Sequence, residues 1–86
     1  MNLEIQLKTI LKNVLNQNTN HFTLQSPLLG EYAELDSMGI MSLLMQIESD
    51  LKIDINAINL TAETFETFGS LLQNIQFSLS HIDSAA

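Results

Sequence analysis

The stretch LDSMG, residues 35–39, places a serine directly after an aspartate at the start of an apolar run. Asp36 is a strong N-cap candidate, because its carboxylate can accept hydrogen bonds from the free N–H groups of a helix that starts at Ser37. The residues that follow predict a helix from Ser37 to about Leu51. At 100° per residue its apolar side chains fall on two faces. The aliphatic face, which predicts the core, comprises Ile40, Leu43, Leu44, Ile47 and Leu51. The methionine face comprises Met38, Met41 and Met45, and predicts either burial under the neighbouring loop or contact with another protein.

The residues before this helix predict another helix and a long loop. Segment 3–15 carries a helical stripe, and the polar string at 16–21 ends it. Residues 22–36 predict an irregular loop, because Pro27 disfavours a helix before it and Gly30 permits a turn. The helical stripe comprises Leu3, Leu7, Ile10, Leu11 and Val14. The loop is expected to attach to the core through Phe22, Leu24, Leu28, Leu29 and Tyr32.

The residues after this helix predict a connector and two more helices. Residues 52–56 alternate like a strand but have nothing to pair with, so we interpret them as an extended connector. Thr61 is predicted to cap a short helix at 62–65, and Thr67 to cap the last helix. The helical spacing of the last helix is carried by Phe68, Leu72, Ile75 and Leu79.

The predicted fold class is all-α. We expect one domain over residues 1–80, with residues 81–86 as a disordered tail. The domain is predicted to be a small four-helix bundle of three longer helices and one short helix. A long loop connects the first two helices.

The composition excludes several kinds of function. The chain has no cysteine, which excludes disulfides, thiolate nucleophiles and thiolate metal sites, so any thiol must be attached by another enzyme. The two histidines, His21 and His81, are too few and too scattered to suggest a metal site. The apolar runs fall short of the ~20 residues that a membrane span needs. The N-terminus lacks the positive region of a signal peptide, so a cytoplasmic protein is expected.

Negative charge is concentrated around Ser37. The net charge is −7, and residues 31–66 contain eight acidic residues against Lys52 alone. This distribution repels nucleic acid and attracts basic protein surfaces. The alternative is a solvated acidic surface that only aids solubility.

Ser37 is a poor candidate for a nucleophile. A nucleophilic serine needs a base within hydrogen-bond reach, and the only histidines lie in a polar linker and in the predicted tail. The G-x-S-x-G motif is also missing, since Leu35 stands where its first glycine would be. One alternative is that Asp36 and Ser37 only start a helix. The other is that the hydroxyl, beside free N–H groups at the positive end of a helix, accepts a phosphate ester made by another enzyme.

Residues 28–55 resemble the acyl carrier proteins and their carrier-domain relatives. In that family a glycine precedes a leucine-aspartate-serine core, and the serine opens the second helix. Residues 64–75, TFETFGSLLQNI, resemble the start of the family's fourth helix. The resemblance spans about residues 3–79. The matching residues, in order, are Gly30, Leu35, Asp36, Ser37 and Met38.

The resemblance implies a carrier protein rather than an enzyme. A phosphopantetheinyl transferase would move 4′-phosphopantetheine from coenzyme A to Ser37, with Mg²⁺ at the transferase. Asp36 would cap the helix and help to present the serine. The thiol of the arm would carry an acyl group as a thioester between enzymes of fatty-acid, polyketide or exopolysaccharide-linked biosynthesis. The carrier is expected to be a monomer that neither binds nucleic acid nor inserts into membranes.

The chain departs from the family on the side that faces partners. Gly39 and Ser42 are uncharged where typical members are acidic. We therefore predict that partners with basic and apolar patches dock through contacts that are more apolar and less salt-sensitive than usual. Glycine at position 39 is also predicted to weaken the first helical turn, by up to ~1 kcal/mol relative to alanine. The predicted docking residues are Met38, Met41, Met45 and Glu48.

Two subtypes and two other functions stay open. The resemblance fits the acyl carriers of exosortase and exopolysaccharide gene clusters better than the D-alanyl carriers of cell-wall modification. An aminoacyl or peptidyl carrier is the alternative for the cargo. The chain could also be an unmodified adaptor that only binds partners, or, least in keeping with the residues, a hydrolase.

Overall fold

The described residues form an all-helical fold, as the sequence predicts. The structure, a computed structural model, describes residues 2–54 and 61–85 of the 86-residue chain. Over these residues it contains no strand, and one isolated antiparallel bridge joins Pro27 to Thr67. The helices are α1 (Leu3–Leu15), α2 (Ser37–Leu51), a short 3₁₀ helix (Ala62–Phe65) and α3 (Phe68–Ala85).

The first helix has the predicted bounds and two local caps. The side-chain oxygen of Asn2 accepts a hydrogen bond of 2.7 Å from the amide of Glu4. At the other end Asn16 adopts a left-handed conformation with φ 56°, and its amide donates to the carbonyl of Lys12 at 2.8 Å. This is a common helix C-terminal geometry, and it turns the chain out of the helix. The side chains that α1 buries are Leu7, Ile10, Leu11 and Leu15.

The second helix begins and ends where the sequence predicts. Its aliphatic face lies in the core, where Leu43, Leu44 and Ile47 are buried. Ile40 and Leu51, at the edges of that face, are partly buried and pack against the core. The 3.6-residue period was sufficient for this prediction because the stripe lies on the side of α2 that packs into the core, where α1 is its neighbour.

The long loop of residues 16–36 is hydrogen-bonded to the start of α3. The amide of Phe68 donates to the carbonyl of Ser26, and the amide of Gly69 donates to the carbonyl of Leu24, each at 2.9 Å. These two N–H groups belong to the first turn of α3 and have no acceptor within that helix. The loop therefore supplies carbonyl acceptors to a helix that starts some forty residues later.

Two of the five apolar loop residues do not pack as predicted. Phe22 and Leu28 are buried, and Tyr32 is partly buried against them. Leu24 and Leu29, in contrast, are 57% and 40% exposed. Their attachment is through the backbone, because Leu24 accepts the bond from α3 and the amide of Leu29 donates to the carbonyl of Phe65 at 3.0 Å. The loop is therefore attached at both residues, but through backbone hydrogen bonds and not through buried side chains.

Aromatic rings connect the loop to α3. The ring of Phe22 lies 5.9 Å from that of Tyr32 and 6.0 Å from that of Phe68, measured between centroids. Phe68 is fully buried. Edge-on and tilted ring pairs at this separation are favourable beyond the area they bury. The loop thus contributes an aromatic side chain to the same core as α3.

The fourth helix of the predicted bundle is not an α-helix. Residues 62–65 form a single 3₁₀ turn, so the count of four is not confirmed. Thr61 precedes it but makes no side-chain capping bond. Thr67 does cap the last helix: its hydroxyl accepts the amide of Ser70 at 3.0 Å, while the Ser70 hydroxyl accepts the amide of Thr67 at 3.1 Å. This reciprocal pair is a capping box with serine at its third helical position.

Two predictions concern the ends of the described ranges. The backbone of α3 extends to Ala85, whereas residues 81–86 were predicted as a disordered tail. The predicted connector at 52–56 lies partly outside the described residues, which resume at Thr61. No helix in residues 2–54 and 61–85 is long and apolar enough to cross a membrane.

The two neighbouring leucines of the loop provide a test of this packing. Leu28→Ala should lower the free energy of unfolding by about 2–5 kcal/mol, because Leu28 is fully buried. Leu29→Ala should cost less, about 1 kcal/mol, because Leu29 is 40% exposed and lies outside the buried core. Urea denaturation of both variants measures the difference. Equal losses would contradict the loop path described above.

Candidate functional site

Ser37 is the first residue of α2 and its side chain is exposed. The residue before it, Asp36, has extended backbone dihedrals, φ −89° and ψ −168°, and occupies the N-cap position. The carboxylate of Asp36 accepts a hydrogen bond of 2.9 Å from the amide of Gly39. The predicted cap is therefore present, and it brings the Ser37 hydroxyl to the surface at a helix start.

The cap is held by the residue before it. Leu35 is only 4% exposed, and its amide donates to the carbonyl of Tyr32 at 3.1 Å. The buried leucine fixes the end of the loop to the core, and Asp36 follows it into solvent. A buried anchor directly before an exposed cap limits the conformations open to Ser37.

Two backbone N–H groups near the Ser37 hydroxyl have no acceptor among the described residues. The carboxylate of Asp36 takes the amide of Gly39, and the carbonyl of Asp36 takes the amide of Ile40 at 2.9 Å. The amides of Ser37 and Met38 have no hydrogen-bond acceptor among the residues that the structure describes. Free N–H groups and the positive end of a helix favour an anionic group on this hydroxyl.

Among the described residues the hydroxyl of Ser37 makes no hydrogen bond, and neither histidine is placed against it. His21 lies in the loop after α1, exposed, with its ring edge-on to Phe22 at 5.0 Å. His81 lies outside the side chains that the structure describes. No group of three metal-binding side chains occurs in the described part of the chain.

The methionine face of α2 points into solvent. Met38, Met41 and Met45 are 79%, 54% and 62% exposed, and Glu48, one turn further along, is also exposed. The alternative that these methionines pack under the long loop is therefore excluded. The three thioethers thus leave a row of apolar surface in water along one face of the helix.

The acidic side chains nearest to Ser37 along the chain lie before it, not in the first turn of α2. Glu31, Glu34 and Asp36 are exposed in the segment that leads to α2, whereas the first turn of α2 contains no acidic residue. The surface around Ser37 thus consists of a negative loop on one side and an apolar helix face on the other.

Gly39 has a role that helix propensity alone does not predict. A Cβ atom on Gly39 would overlap the carbonyl oxygen of Glu34, and would lie 2.8 Å from the carbon of that carbonyl. The loop backbone therefore lies directly against the first turn of α2. The sequence signal was the glycine itself, since an isolated glycine inside a helical pattern costs stability unless packing or function calls for it. Gly39 was interpreted as a weak point because the position of the loop was not known.

The chain was compared with known families and solved structures. A family model described as "Phosphopantetheine attachment site" matches residues 6–75. The solution NMR structure of a holo acyl carrier protein from Nitrosomonas europaea is 34% identical in sequence, covers 94% of this chain and 100% of its own, and superposes with a TM-score of 0.79. No protein with a curated function matches the chain.

Substitutions at the cap test its contribution to stability. Asp36→Ala should lower the free energy of unfolding by about 1 kcal/mol, because the amide of Gly39 loses its acceptor. Asp36→Asn removes the same negative charge but keeps an oxygen at the capping position, so it should cost only a few tenths of that. Urea denaturation at moderate salt compares the three proteins. If both variants lose the same stability, the charge and not the capping bond is responsible.

Proposed function

This chain belongs to the phosphopantetheine attachment-site family, and we propose that Ser37 is the residue that receives the arm. Members of the family are carrier proteins, not enzymes, and a phosphopantetheinyl transferase attaches 4′-phosphopantetheine to them covalently. The observation that carries the assignment to Ser37 is its position: an exposed hydroxyl at the start of α2, next to a formed cap.

The free donors at the start of α2 suit the group that would be attached. A phosphodiester on Ser37 would carry a negative charge close to the unpaired amides of Ser37 and Met38. Once attached, the arm supplies a terminal thiol that holds the cargo as a thioester, which is the function that a chain without cysteine lacks. The chain's own part is to present the hydroxyl and to tolerate the charge.

The transferase performs the attachment. The Ser37 Oγ forms a bond to the β-phosphorus of coenzyme A, the bond from that phosphorus to 3′,5′-ADP breaks, and the hydroxyl proton passes to a base on the transferase.

We propose that the cargo is an acyl group. The support is the similarity to a holo acyl carrier protein over 94% of this chain. A D-alanyl, other aminoacyl or peptidyl cargo is the alternative, and no described residue favours it. The exosortase and exopolysaccharide subtype and the cytoplasmic location remain predictions from the sequence. An unmodified adaptor would have no use for an exposed serine beside a formed cap.

The attachment is tested by the intact mass of the protein. Incubation with coenzyme A, Mg²⁺ and a broad-specificity phosphopantetheinyl transferase should add one phosphopantetheine unit to the wild type. Ser37→Ala should gain no mass while it keeps its helical circular dichroism. Ser42→Ala, which removes a hydroxyl from the next turn of the same helix, is the matched control and should be modified normally. Modification of Ser37→Ala would place the arm on another residue.

We propose that the methionine face, with Glu48 at its end, is the docking surface for partner enzymes. Methionine side chains are flexible and polarizable, so they adapt to different apolar patches. The acidic loop before Ser37 adds attraction for basic residues on the same partner. Because the apolar contacts lie on the helix that starts at the attachment residue, a docked enzyme would cover Ser37 as well.

Alanine substitutions on this face test the docking with the transferase as the partner. Met41→Ala and Met45→Ala should each raise KM about fivefold, which corresponds to ~1 kcal/mol, with little change between low and high salt. Ile5→Ala, an equally exposed apolar residue on α1, is the control and should leave KM unchanged. A KM that rises steeply with salt and ignores the methionines would show that charge, not the methionine face, governs docking.

A further inference from the structure

We propose that Gly39 is a positioning residue for the attachment reaction: it lets the loop lie close enough to α2 to hold Asp36 and Ser37 in place. The inference rests on the proposed attachment at Ser37. It assigns a function to a residue that does not itself carry the arm or cap the helix.

The contact at Gly39 is with backbone and leaves no room for a side chain. The carbonyl of Glu34 occupies the space where a Cβ atom would project, and a Cβ would also lie 3.6 Å from the Asp36 carboxylate oxygen. A flexible side chain could swing aside, but a carbonyl moves only with its chain. Any residue other than glycine must therefore displace the loop or the first turn of α2.

The conformation of Gly39 does not explain the glycine. The described residues with left-handed φ values are Asn16, Gly30 and Lys52, and Gly39 is not among them. Helix propensity alone would favour alanine at this position by up to ~1 kcal/mol. The close approach of Glu34 is thus the feature that accounts for glycine at this position, and it reverses the sign of the effect expected from propensity.

A displaced loop would reach Ser37 through the cap. Between Glu34 and Ser37 lie only Leu35 and Asp36. The carbonyl of Glu34 belongs to the same peptide as the amide of Leu35, so its displacement rotates the chain that leads to Asp36 and lengthens the bond between the Asp36 carboxylate and the amide of residue 39. Ser37 is the next residue, and its hydroxyl would change orientation with the cap.

The chain contains a matched control for this substitution. Gly69 is the second residue of α3, and a Cβ there would lie 2.5 Å from the carbonyl oxygen of Leu24. It is also a glycine in the first turn of a helix against a carbonyl of the same loop. Gly69→Ala should therefore destabilise the fold in a similar way without altering the cap before Ser37.

The experiment compares the arm-transfer kinetics of the two glycine variants. Apo wild type, Gly39→Ala and Gly69→Ala are assayed with coenzyme A and a broad-specificity phosphopantetheinyl transferase, at a temperature where urea curves show all three folded. Both variants should be less stable than the wild type. Gly39→Ala should lower kcat about tenfold or more, because the hydroxyl is misplaced, while KM changes little since the methionine face is intact. Gly69→Ala should keep kcat within about twofold.

Two kinetic results would overturn the proposal. A normal kcat for Gly39→Ala would show that the loop contact does not position Ser37. An equal loss of kcat in both variants would show that lower stability alone is responsible. If the wild type gains no arm at all, the proposed attachment fails, and amide exchange then decides the positioning claim separately.

Amide hydrogen exchange in the wild type needs no variant that might misfold. The amide of Gly39, which donates to Asp36, should exchange more slowly than the unpaired amides of Ser37 and Met38. Exchange at Gly39 as fast as at Met38 would mean that the cap is not held in solution, and would overturn the proposal.

Discussion

The hydrogen bonds between the α1–α2 loop and the start of α3 are the interaction on which the rest of the structure depends. The loop supplies acceptors to the first turn of α3. Residues 16–36 themselves contain no helix or strand. Backbone polar groups of a long loop need partners, and here α3 and the segment before it provide them. Phe22 and Leu28 can therefore lie in the core. The last residues of the loop have a second anchor, because Leu35 is buried and its amide donates to the carbonyl of Tyr32, and Asp36 and Ser37 follow directly after it.

The helices were the most predictable part of the fold. The bounds of α1 and α2 follow from apolar periodicity and from Asp36 as a cap, both of which act within a few residues. Thr67 as a cap was predictable for the same reason. Thr61 was not, because its hydroxyl pairs with the hydroxyl of Thr64 at 3.3 Å rather than with a backbone amide. The exposure of Leu24 and Leu29 depends on the path of the loop across α3, which no local pattern specifies.

The candidate site likewise has features that the sequence predicts and features that it does not. Ser37 at a capped helix start could be predicted because the pattern is local and resembles that of a known family. The exposure of Met38, Met41 and Met45 could not be predicted, because the sequence allowed either burial under the loop or contact with another protein. Only the packed structure excludes burial under the loop. The reason for glycine at position 39 was the least predictable feature. Helix propensity assigns glycine a cost in stability, whereas the contact with the Glu34 carbonyl leaves room for glycine alone. The site is thus built for presentation, with the chemistry left to the enzymes that visit it.

The pairing between the loop and α3 has a consequence for the order in which the chain can fold. The packing of α1 against α2 joins elements that follow each other along the chain. The hydrogen bond between the amide of Leu28 and the carbonyl of Glu66, by contrast, joins residues that are separated along the chain by the whole of α2 and the segment after it. Contacts between such distant residues carry the larger loop-closure entropy and form slowly relative to local ones. The segment that leads to Ser37 is therefore ordered by the late, long-range step of folding rather than by the early, local one.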